Sequence, residues 1–417
     1  MMRSLFSGVS GVKGHQTRMD VIGNNIANVN TTGFKYSRTT FADMFSQTTG
    51  SAAGPQSGVQ GGINPKQVGL GVGVASIDMI TTDGAVQSTG KNTDLCLSGN
   101  GLFGVKTGDT IYYTRDGAFE FDSEGNYVLP GTGMYVLGWT TQTTDANGKV
   151  TIDTTGTPDK ITIPSDSSIG PKATGNISYA GNIAANTDTG SVGATTTSSV
   201  VDTQGYSHNV TLTFTKTADN TWTVGATSPD GTVSLSSTSI TFDENGEMTA
   251  DTQITATLNP ANGSKDPMDV NYNFNKGSVT QYYSDAGSTA YAATNDGYVA
   301  GKLTSVTIDN SGTITGVYAN SQRQALGVVT VYQFNNFSGL NKTGNSFYQP
   351  SNNSGEPAPG TATALGVTIT ASALEMSNVD VADQFSDMII TQRGFQSNSK
   401  IVTVSDEMLE TLINMKR

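Results

Sequence analysis

The 417-residue chain is long enough to bury more than one hydrophobic core. Only 35% of its residues are hydrophobic and 49 are glycine, a composition that favours thin β domains with polar exteriors. The net charge of −13 argues against nucleic acid and acidic membrane surfaces as partners, because the field of the protein repels both.

The single cysteine, Cys96, excludes an internal disulfide, so the sequence carries no sign of an oxidising compartment. The first residues lack the apolar core of a signal peptide, and no stretch approaches the roughly 18 apolar residues that a bilayer crossing needs. We therefore expect no membrane insertion, and export without a cleaved signal peptide if the protein leaves the cytoplasm.

Both ends of the chain show apolar residues at seven-residue spacing, which predicts helices with one narrow apolar stripe. The N-terminal stripe is Leu5, Val12, Met19 and Ile26, and the C-terminal stripe is Leu374, Val381, Met388, Phe395, Val402 and Leu409. Either stripe alone fits an ordinary amphipathic core helix. Two such stripes at opposite ends of a β-rich chain favour pairing of the terminal helices, since a narrow stripe fits another helix better than a sheet.

The predicted N-terminal helix is intrinsically weak. Gly8, Gly11, Gly14 and Gly23 each cost about 1 kcal/mol relative to alanine inside a helix. An isolated helix of this length is already marginal. We therefore expect residues 1 to about 30 to be disordered in the free monomer and to fold on assembly.

Asparagines crowd the end of this helix, at Asn24, Asn25, Asn28 and Asn30. Carboxamides both donate and accept hydrogen bonds, so they can satisfy unpaired backbone groups of their own or a neighbouring chain. A simple polar C-cap that turns the chain at Gly33 is an equally good interpretation, although four asparagines exceed what one cap uses.

The middle of the chain is predicted to be mainly β. We expect a Gly-rich connector at 31–73 and a discontinuous β domain formed by 74–144 with 282–373. Between those pieces, 145–281 is predicted to be an inserted outer β domain, because its apolar residues alternate. The fold class is therefore two nested β domains, the outer inserted into the inner, plus a helical assembly domain formed by 1–30 with 374–417.

The sequence offers no clear catalytic or metal centre. "GNGLFG" at 99–104 matches the glycine pattern of a dinucleotide site but continues as strand, so we expect no cofactor. His15 and His208 are the only histidines, and Cys96 is best interpreted as a small buried hydrophobe, with a cross-linking thiol as the alternative. We predict that the protein is not an enzyme, although its many carboxylates do not by themselves exclude a glycosidase pair.

Three segments share an apolar residue, Asp, two further residues and Gly: "FDSEG" at 121–125, "FDENG" at 242–246 and "IDNSG" at 308–312. A calcium loop needs a longer set of spaced oxygen ligands. Hairpin turns explain the three segments better.

Several stretches resemble the family of bacterial flagellar rod and hook proteins. "SGVSGVKGHQTRMDVIGNNIANVNTTGFK" at 7–35 resembles the amino-terminal signature of that family, and 374–417 resembles its carboxy-terminal signature. Residues 67–105, 113–128 and 324–334 are also similar, whereas about 145–281 is not. Departures are small: Cys96 stands where the family more often has Ala, and "GLF" at 101–103 replaces a more usual paired Phe.

The resemblance implies a structural subunit of the flagellum, and the large inserted β domain favours the hook. In the family the terminal helices line an inner tube, and the hook is a curved, flexible tube that passes motor torque to the filament. The assembly residues that the resemblance implies are Asn24, Asn25, Ile26, Asn28, Gly33 and Phe34, with Asn378, Gln392, Arg393, Phe395 and Asn398.

The implied partners are other copies in a helical polymer, the rod, hook-cap and hook–filament junction proteins, and the type III export apparatus. The implied location is the extracellular hook. One alternative is a distal rod protein of the same family. Another is a secreted β-rich adhesin, which would leave both terminal stripes without a role.

Overall fold

The computed structural model describes residues 2–55, 61–144, 150–264 and 266–415. The chain forms two compact units. Unit 1 comprises Met1–Pro164, Val306–Thr315 and Ala325–Arg417, and unit 2 comprises Ser165–Ser305 and Gly316–Gln324. The described part of the chain is mainly β with one long helix at each end, so the predicted fold class is confirmed.

Two antiparallel helices belong to unit 1. Helix α1 spans Met2–Ala27 and α2 spans Val381–Asn414. The N-cap of α2 is Asp380, whose side chain accepts hydrogen bonds from the backbone N–H groups of Ala382 and Asp383. Neither helix in the described ranges carries the length of apolar sequence that a bilayer crossing requires.

A two-stranded ribbon follows α1 where the sequence predicts a Gly-rich connector. Strand β1 (Ser37–Asp43) pairs with β4 (Val72–Met79), and β2 (Ser46–Gly50) pairs with β3 (Lys66–Gly69), both antiparallel. Glycine and proline in this stretch do not prevent pairing, because a ribbon leaves one edge of each strand open.

The remaining strands of unit 1 form a large sheet and three short pairs. They are β5 (Val86–Ser88), β6 (Leu95–Ser98), β7 (Leu102–Thr107), β8 (Thr110–Thr114), β9 (Glu120–Phe121), β10 (Tyr127–Leu129), β11 (Met134–Trp139), β12 (Gln142–Thr144), β13 (Val150–Ile152), β14 (Asp159–Lys160), β28 (Val331–Gln333), β29 (Asn341–Gly344), β30 (Phe347–Gln349), β31 (Ala358–Gly360), β32 (Thr368–Ala371) and β33 (Ala373–Glu375). The large sheet runs β11-β7-β8-β30-β29, and β32 and β33 pair with β6 and β5. These last two pairings bring the segment before α2 onto the β part of unit 1.

Unit 2 contains two sheets that share one core. Its strands are β15 (Ser168–Ile169), β16 (Asn176–Asn182), β17 (Val192–Val201), β18 (Ser207–Ala218), β19 (Thr221–Thr227), β20 (Gly231–Leu235), β21 (Ser239–Thr241), β22 (Thr252–Pro260), β23 (Met268–Thr280) and β24 (Tyr291–Asn295). The sheets run β20-β22-β23-β16-β24 and β17-β18-β19-β21. The alternating residues of the sequence, among them Phe214, Trp222 and Tyr272, are buried in this core.

Strands β25 (Gly301–Ile308), β26 (Thr313–Tyr318) and β27 (Arg323–Val329) have residues in both units. The limits of unit 2 differ from the predicted insertion at 145–281. One reason is that β14 pairs with β11, with Leu137 opposite Lys160, so the chain up to Pro164 belongs to unit 1.

The Asp-to-Gly segments are hairpin turns, as predicted. In each, one carboxylate oxygen of the Asp accepts the backbone N–H groups two and four residues later, as at Asp122, Asp243 and Asp309. The glycine has a positive φ of 80° or 81°. A fourth turn, at Asp202, has the same hydrogen bonds. One oxygen of each Asp therefore holds its own turn in shape.

Candidate assembly site

The two helices contact each other mostly through small and polar side chains, and Gly8 also faces the apolar side chains of Ile401 and Val402. In antiparallel order the contacts join Ser4 to Ser405 (Oγ to Oγ, 3.5 Å), Arg18 to Asp387 (Nη2 to Oδ1, 2.9 Å) and Asn25 to Gln384 (Nδ2 to Oε1, 2.9 Å). Between them, a Cβ on Gly11 would lie 2.6 Å from the side-chain oxygen of Asn398, and one on Gly394 would lie 2.6 Å from the ring of His15. These glycines therefore let the backbones approach closely.

The predicted apolar stripe of α1 is not the seam between the helices. Pairing of the terminal helices is confirmed, but Leu5, Val12, Met19 and Ile26 are only half-buried, whereas Gly8, Gly11, Ile22 and Asn25 are buried. Each stripe residue directly follows one of the residues that contact α2. Those contact residues also repeat every seven positions: Ser4, Gly11, Arg18 and Asn25. If the large side chains of the stripe lay between the helices, the two backbones could not approach as closely as the glycines let them.

Helix α2 shows the same division. Its buried residues Gln384, Thr391 and Ser405 share a seven-residue repeat with Asn398. The predicted Met388, Phe395, Val402 and Leu409 are half-buried, Val381 is exposed, and Leu374 is half-buried in β33. Of these, Val402 does lie against α1, at Gly8. The sequence signal for the true seam was a polar heptad, which a search for apolar periodicity passes over.

The predicted asparagines organise the exit from α1. Asn25 is buried and binds both backbone groups of Ser37: its Nδ2 donates to the carbonyl at 2.8 Å, and its Oδ1 accepts the N–H at 3.0 Å. Asn28 Nδ2 donates to the carbonyl of Asn24 at 2.9 Å, which caps the last turn. Both proposed roles of the asparagines are therefore present within one chain.

Asn378, in the segment before α2, likewise binds backbone groups. Its Oδ1 accepts the N–H of Tyr36 at 2.9 Å, and its Nδ2 donates to the carbonyls of Ile80 and Thr82, each at 3.0 Å. A single side chain thus joins the segment after α1, the end of the ribbon and the segment before α2.

A fully buried ion cluster, absent from the sequence predictions, lies beside this junction. Glu375 contacts Lys35 (Nζ to Oε1, 2.5 Å) and Arg115 (Nη1 to Oε2, 3.1 Å), and it also accepts the N–H of Gly84 at 2.9 Å. Burial lowers the pKa of Lys35, and Glu375 opposes that shift. Because the three residues are far apart in sequence, no local pattern marks them.

Gly33 is buried against this cluster. Its φ is +65°, its N–H donates to the carbonyl of Glu375 at 2.8 Å, and a Cβ would lie 2.7 Å from backbone atoms of Arg115 and Asp116. Only glycine fits both the conformation and the space.

A groove in unit 1 brings together three of the predicted assembly residues, Asn24, Asn28 and Phe34. We call it the asparagine groove; its other lining residues are Thr31, Asp116, Ala118, Leu129, Pro130, Gly131, Thr132, Lys342, Gly344, Asn345, Ser346, Phe347 and Tyr348. Its volume is about 670 Å³. Lys342 Nζ lies 5.1 Å from the centre of the Phe34 ring. Burial lowers the pKa of the Lys342 ammonium group.

The outer surfaces of both helices expose large apolar side chains. Phe6 and Ile390 are each 61% exposed, and Ile413 is 69% exposed. The exposed set also contains Met2, Val381, Phe385, Ile389, Ile401, Val404, Met408, Leu412 and Met415. Gln392 and Arg393 are exposed too. A concentration of exposed large apolar side chains on one pair of helices is typical of a protein interaction site.

The described residues contain no group of three or more His, Cys, Asp or Glu side chains arranged to hold a metal ion. Cys96 is buried, and burial raises the pKa of its thiol to about 11. A thiol in that setting is a poor nucleophile, which supports the buried-hydrophobe interpretation over cross-linking.

Family models of flagellar proteins match four parts of the chain. Their descriptions are flagella basal body rod protein (5–35), flagellar hook protein FlgE/F/G D1 domain (96–185), flagellar basal body protein FlaE D2 domain (172–298) and flagellar basal body rod FlgEFG protein C-terminal (370–415).

Relatives match from end to end. The chain is 39% identical to the flagellar hook protein FlgE of Treponema pallidum and 39% identical to that of Borreliella burgdorferi, covering 100% of each and of itself. It is 33% identical to the flagellar basal-body rod protein FlgG of Bacillus subtilis, again over 100% of both chains.

Proposed function

The chain belongs to the family of bacterial flagellar hook and rod proteins and is a structural subunit of the hook, and we propose that it polymerises by burying the outer faces of α1 and α2 against neighbouring copies. The relatives with the higher identity carry the hook name, so the rod alternative is not favoured. An adhesin would not account for end-to-end similarity to hook proteins.

The proposed contact rests on a difference in side-chain character between the inner and outer faces of the helix pair. The face inside the chain is mostly small and polar, with Ile401 and Val402 packed beside Gly8, while other large apolar side chains of both helices are exposed. Burying such surface gains about 25 cal/mol per Å². Within one chain each helix already packs against the other. We therefore propose that neighbouring copies bury the outer faces of both helices.

Unit 2 has the opposite character. Its core is closed between two sheets, and its outward positions are mostly Thr, Ser, Asn and Asp. Polar surfaces gain little from any one contact, so we propose that unit 2 slides past its neighbours as a curved tube rotates and transmits torque. We propose export by the flagellar type III route, and rod, hook-cap and junction proteins as end partners.

Point variants on α2 test the polymer contact. We expect Ile390→Asn subunits to remain soluble under conditions in which the parent polymerises, because a carboxamide in an apolar interface loses its hydrogen bonds to water. Sedimentation and electron microscopy give the readout.

The matched control is Val192→Asn, which changes an exposed apolar residue of unit 2. It should polymerise as the parent does. Removal of residues 1–30 should also abolish polymerisation. The proposal fails if Ile390→Asn subunits build tubes at the parent's rate, or if the intact chain stays monomeric throughout.

A further inference from the structure

We propose that the segment Asp43, Met44 and Phe45 of one copy, where β1 passes into β2, docks in the asparagine groove of a second copy. The proposal rests on the polymer proposed above and adds one specific contact to it. We call this segment the ribbon knob.

The ribbon knob is the most exposed apolar feature of the ribbon. Phe45 is 88% exposed, and Met44 beside it is also exposed. The knob is held in shape, since Met44 N–H donates to the carbonyl of Gly71 at 2.9 Å and the carbonyl of Phe45 accepts the N–H of Leu70 at 3.1 Å. A two-stranded ribbon is marginally stable alone, so a fixed, exposed phenylalanine on it implies a partner surface.

The groove offers apolar walls for such a side chain. Phe34, Leu129 and Phe347 line it, and its volume of about 670 Å³ exceeds that of one aromatic ring. Asn24 also lines the groove, and a carboxamide binds peptide groups in the way Asn25 binds the backbone of Ser37, whereas Asn28 already bonds to Asn24 and Thr31. An extended segment with one aromatic side chain meets both requirements.

Charge also matches. Lys342 Nζ donates to the carbonyl of Lys35 at 3.1 Å and to Ser37 Oγ at 3.3 Å. An ammonium group has three donors, so within the described residues one donor is left for an incoming carboxylate. Asp43 directly precedes Met44 and Phe45 and is exposed, so it supplies that carboxylate.

The positions of knob and groove require two copies. The ribbon next to the knob contacts the start of α1, where Ser10 Oγ accepts the N–H of Val72 at 3.3 Å. The groove lies at the other end of α1, by Asn24 and Asn28. Fourteen residues of helix at about 1.5 Å each separate Ser10 from Asn24 by about 21 Å. A knob at one end and a groove at the other make a head-to-tail contact, which builds open polymers.

Disulfide trapping in mixed polymers tests the contact. Full-length Phe45→Cys subunits are polymerised with full-length Thr132→Cys subunits, since Thr132 is exposed at the groove rim. We expect mild oxidation to give a dimer band on a non-reducing gel. The control partner is Thr110→Cys, an exposed threonine outside the groove, which should give none. Native Cys96 is buried, so we expect it to form no disulfide in this experiment.

Maleimide labelling of Phe45→Cys subunits gives the second readout. The introduced thiol should react in free subunits and be protected in the polymer. Polymers that form without the dimer, and in which this thiol is as reactive as in free subunits, would overturn this inference and leave the proposed function intact. Failure of the parent chain to polymerise would instead count against the proposed function.

A charge variant covers the case in which Phe45→Cys subunits do not polymerise. Asp43→Asn should raise the subunit concentration needed for polymerisation, and Asp109→Asn, in the exposed turn between β7 and β8, should not. Equal behaviour of these two variants would contradict the docking of the knob.

Discussion

Gly33 sits where the chain leaves α1 and turns against the buried ion cluster. Alanine there would have to adopt a φ of +65° and place its Cβ 2.7 Å from backbone atoms of Arg115. We expect Gly33→Ala to lower the free energy of unfolding of unit 1 by about 2 kcal/mol or more. Urea unfolding followed by Trp139 fluorescence, in a Trp222→Phe background used throughout, measures this change.

Gly23→Ala is the matched control for that variant. A Cβ on Gly23 has nothing within 4 Å, and the residue lies in the interior of α1. Alanine is the better helix former by about 1 kcal/mol, so this variant should cause no loss of stability. Equal destabilisation by both substitutions would contradict the role assigned to Gly33.

The Glu375 cluster makes a second prediction at this scale. Glu375→Gln removes the buried carboxylate that contacts both Lys35 and Arg115, and leaves Arg115 with the partly exposed Asp83 at 3.6 Å. Breaking a buried ion pair in this way costs about 3 to 5 kcal/mol. Denaturant unfolding of unit 1 gives the measurement.

The exposed pair Lys91–Glu120, at 2.9 Å from Nζ to Oε2, supplies the control. Glu120→Gln should cost less than about 1 kcal/mol, because water already solvates both charges. A similar small effect of Glu375→Gln would show that the buried cluster tolerates loss of its carboxylate.

At the scale of elements, α1 shows how a helix can depend on its partner. Its buried face contains Gly8, Gly11 and Gly14, so it contributes little apolar area, and glycine favours the unfolded chain. We expect residues 2–27 to show little amide-exchange protection in dilute monomer and strong protection in the polymer, while the core strands β7 and β18 are protected in both. Strong protection of α1 in dilute monomer would contradict this prediction.

The sequence predicted the existence of both helices and of the alternating strands. Of the residues that join the helices, the resemblance marked Asn25 and Asn398, and most of the others were not predicted. Heptad spacing of Leu5 or Met388 is visible because large apolar residues stand out against polar neighbours. Ser4, Gly11, Arg18 and Asn25 keep the same spacing without that contrast. Their role depends on how closely two backbones approach, which becomes visible only when both helices are in place.

The buried cluster was missed for a related reason. Lys35, Arg115 and Glu375 lie in three distant segments, and each alone is an ordinary charged residue. Gly33 and Asn378, by contrast, were predicted as assembly residues, and the structure places both at this same junction. What the resemblance marks as assembly signature therefore includes residues that shape the subunit itself.

At the scale of the whole molecule, net charge and apolar helix surface oppose each other. Subunits with a charge of −13 repel as they approach, and the repulsion reaches about 30 Å at 0.01 M salt but only about 8 Å at 0.15 M. Apolar burial acts only at contact and does not weaken with salt over this range. We therefore expect polymerisation of the full chain to accelerate as salt rises between these concentrations, as measured by light scattering.

The Asp43–Lys342 contact has the opposite dependence, because salt weakens an attraction between opposite charges. Its effect is confined to one close pair, whereas repulsion involves the whole subunit, so acceleration should prevail in the parent. In Asp43→Asn the attractive pair is absent, and the acceleration by salt should be steeper than in the parent. A parent rate that falls with salt would show that specific ion pairs, and not the apolar faces of α1 and α2, govern assembly.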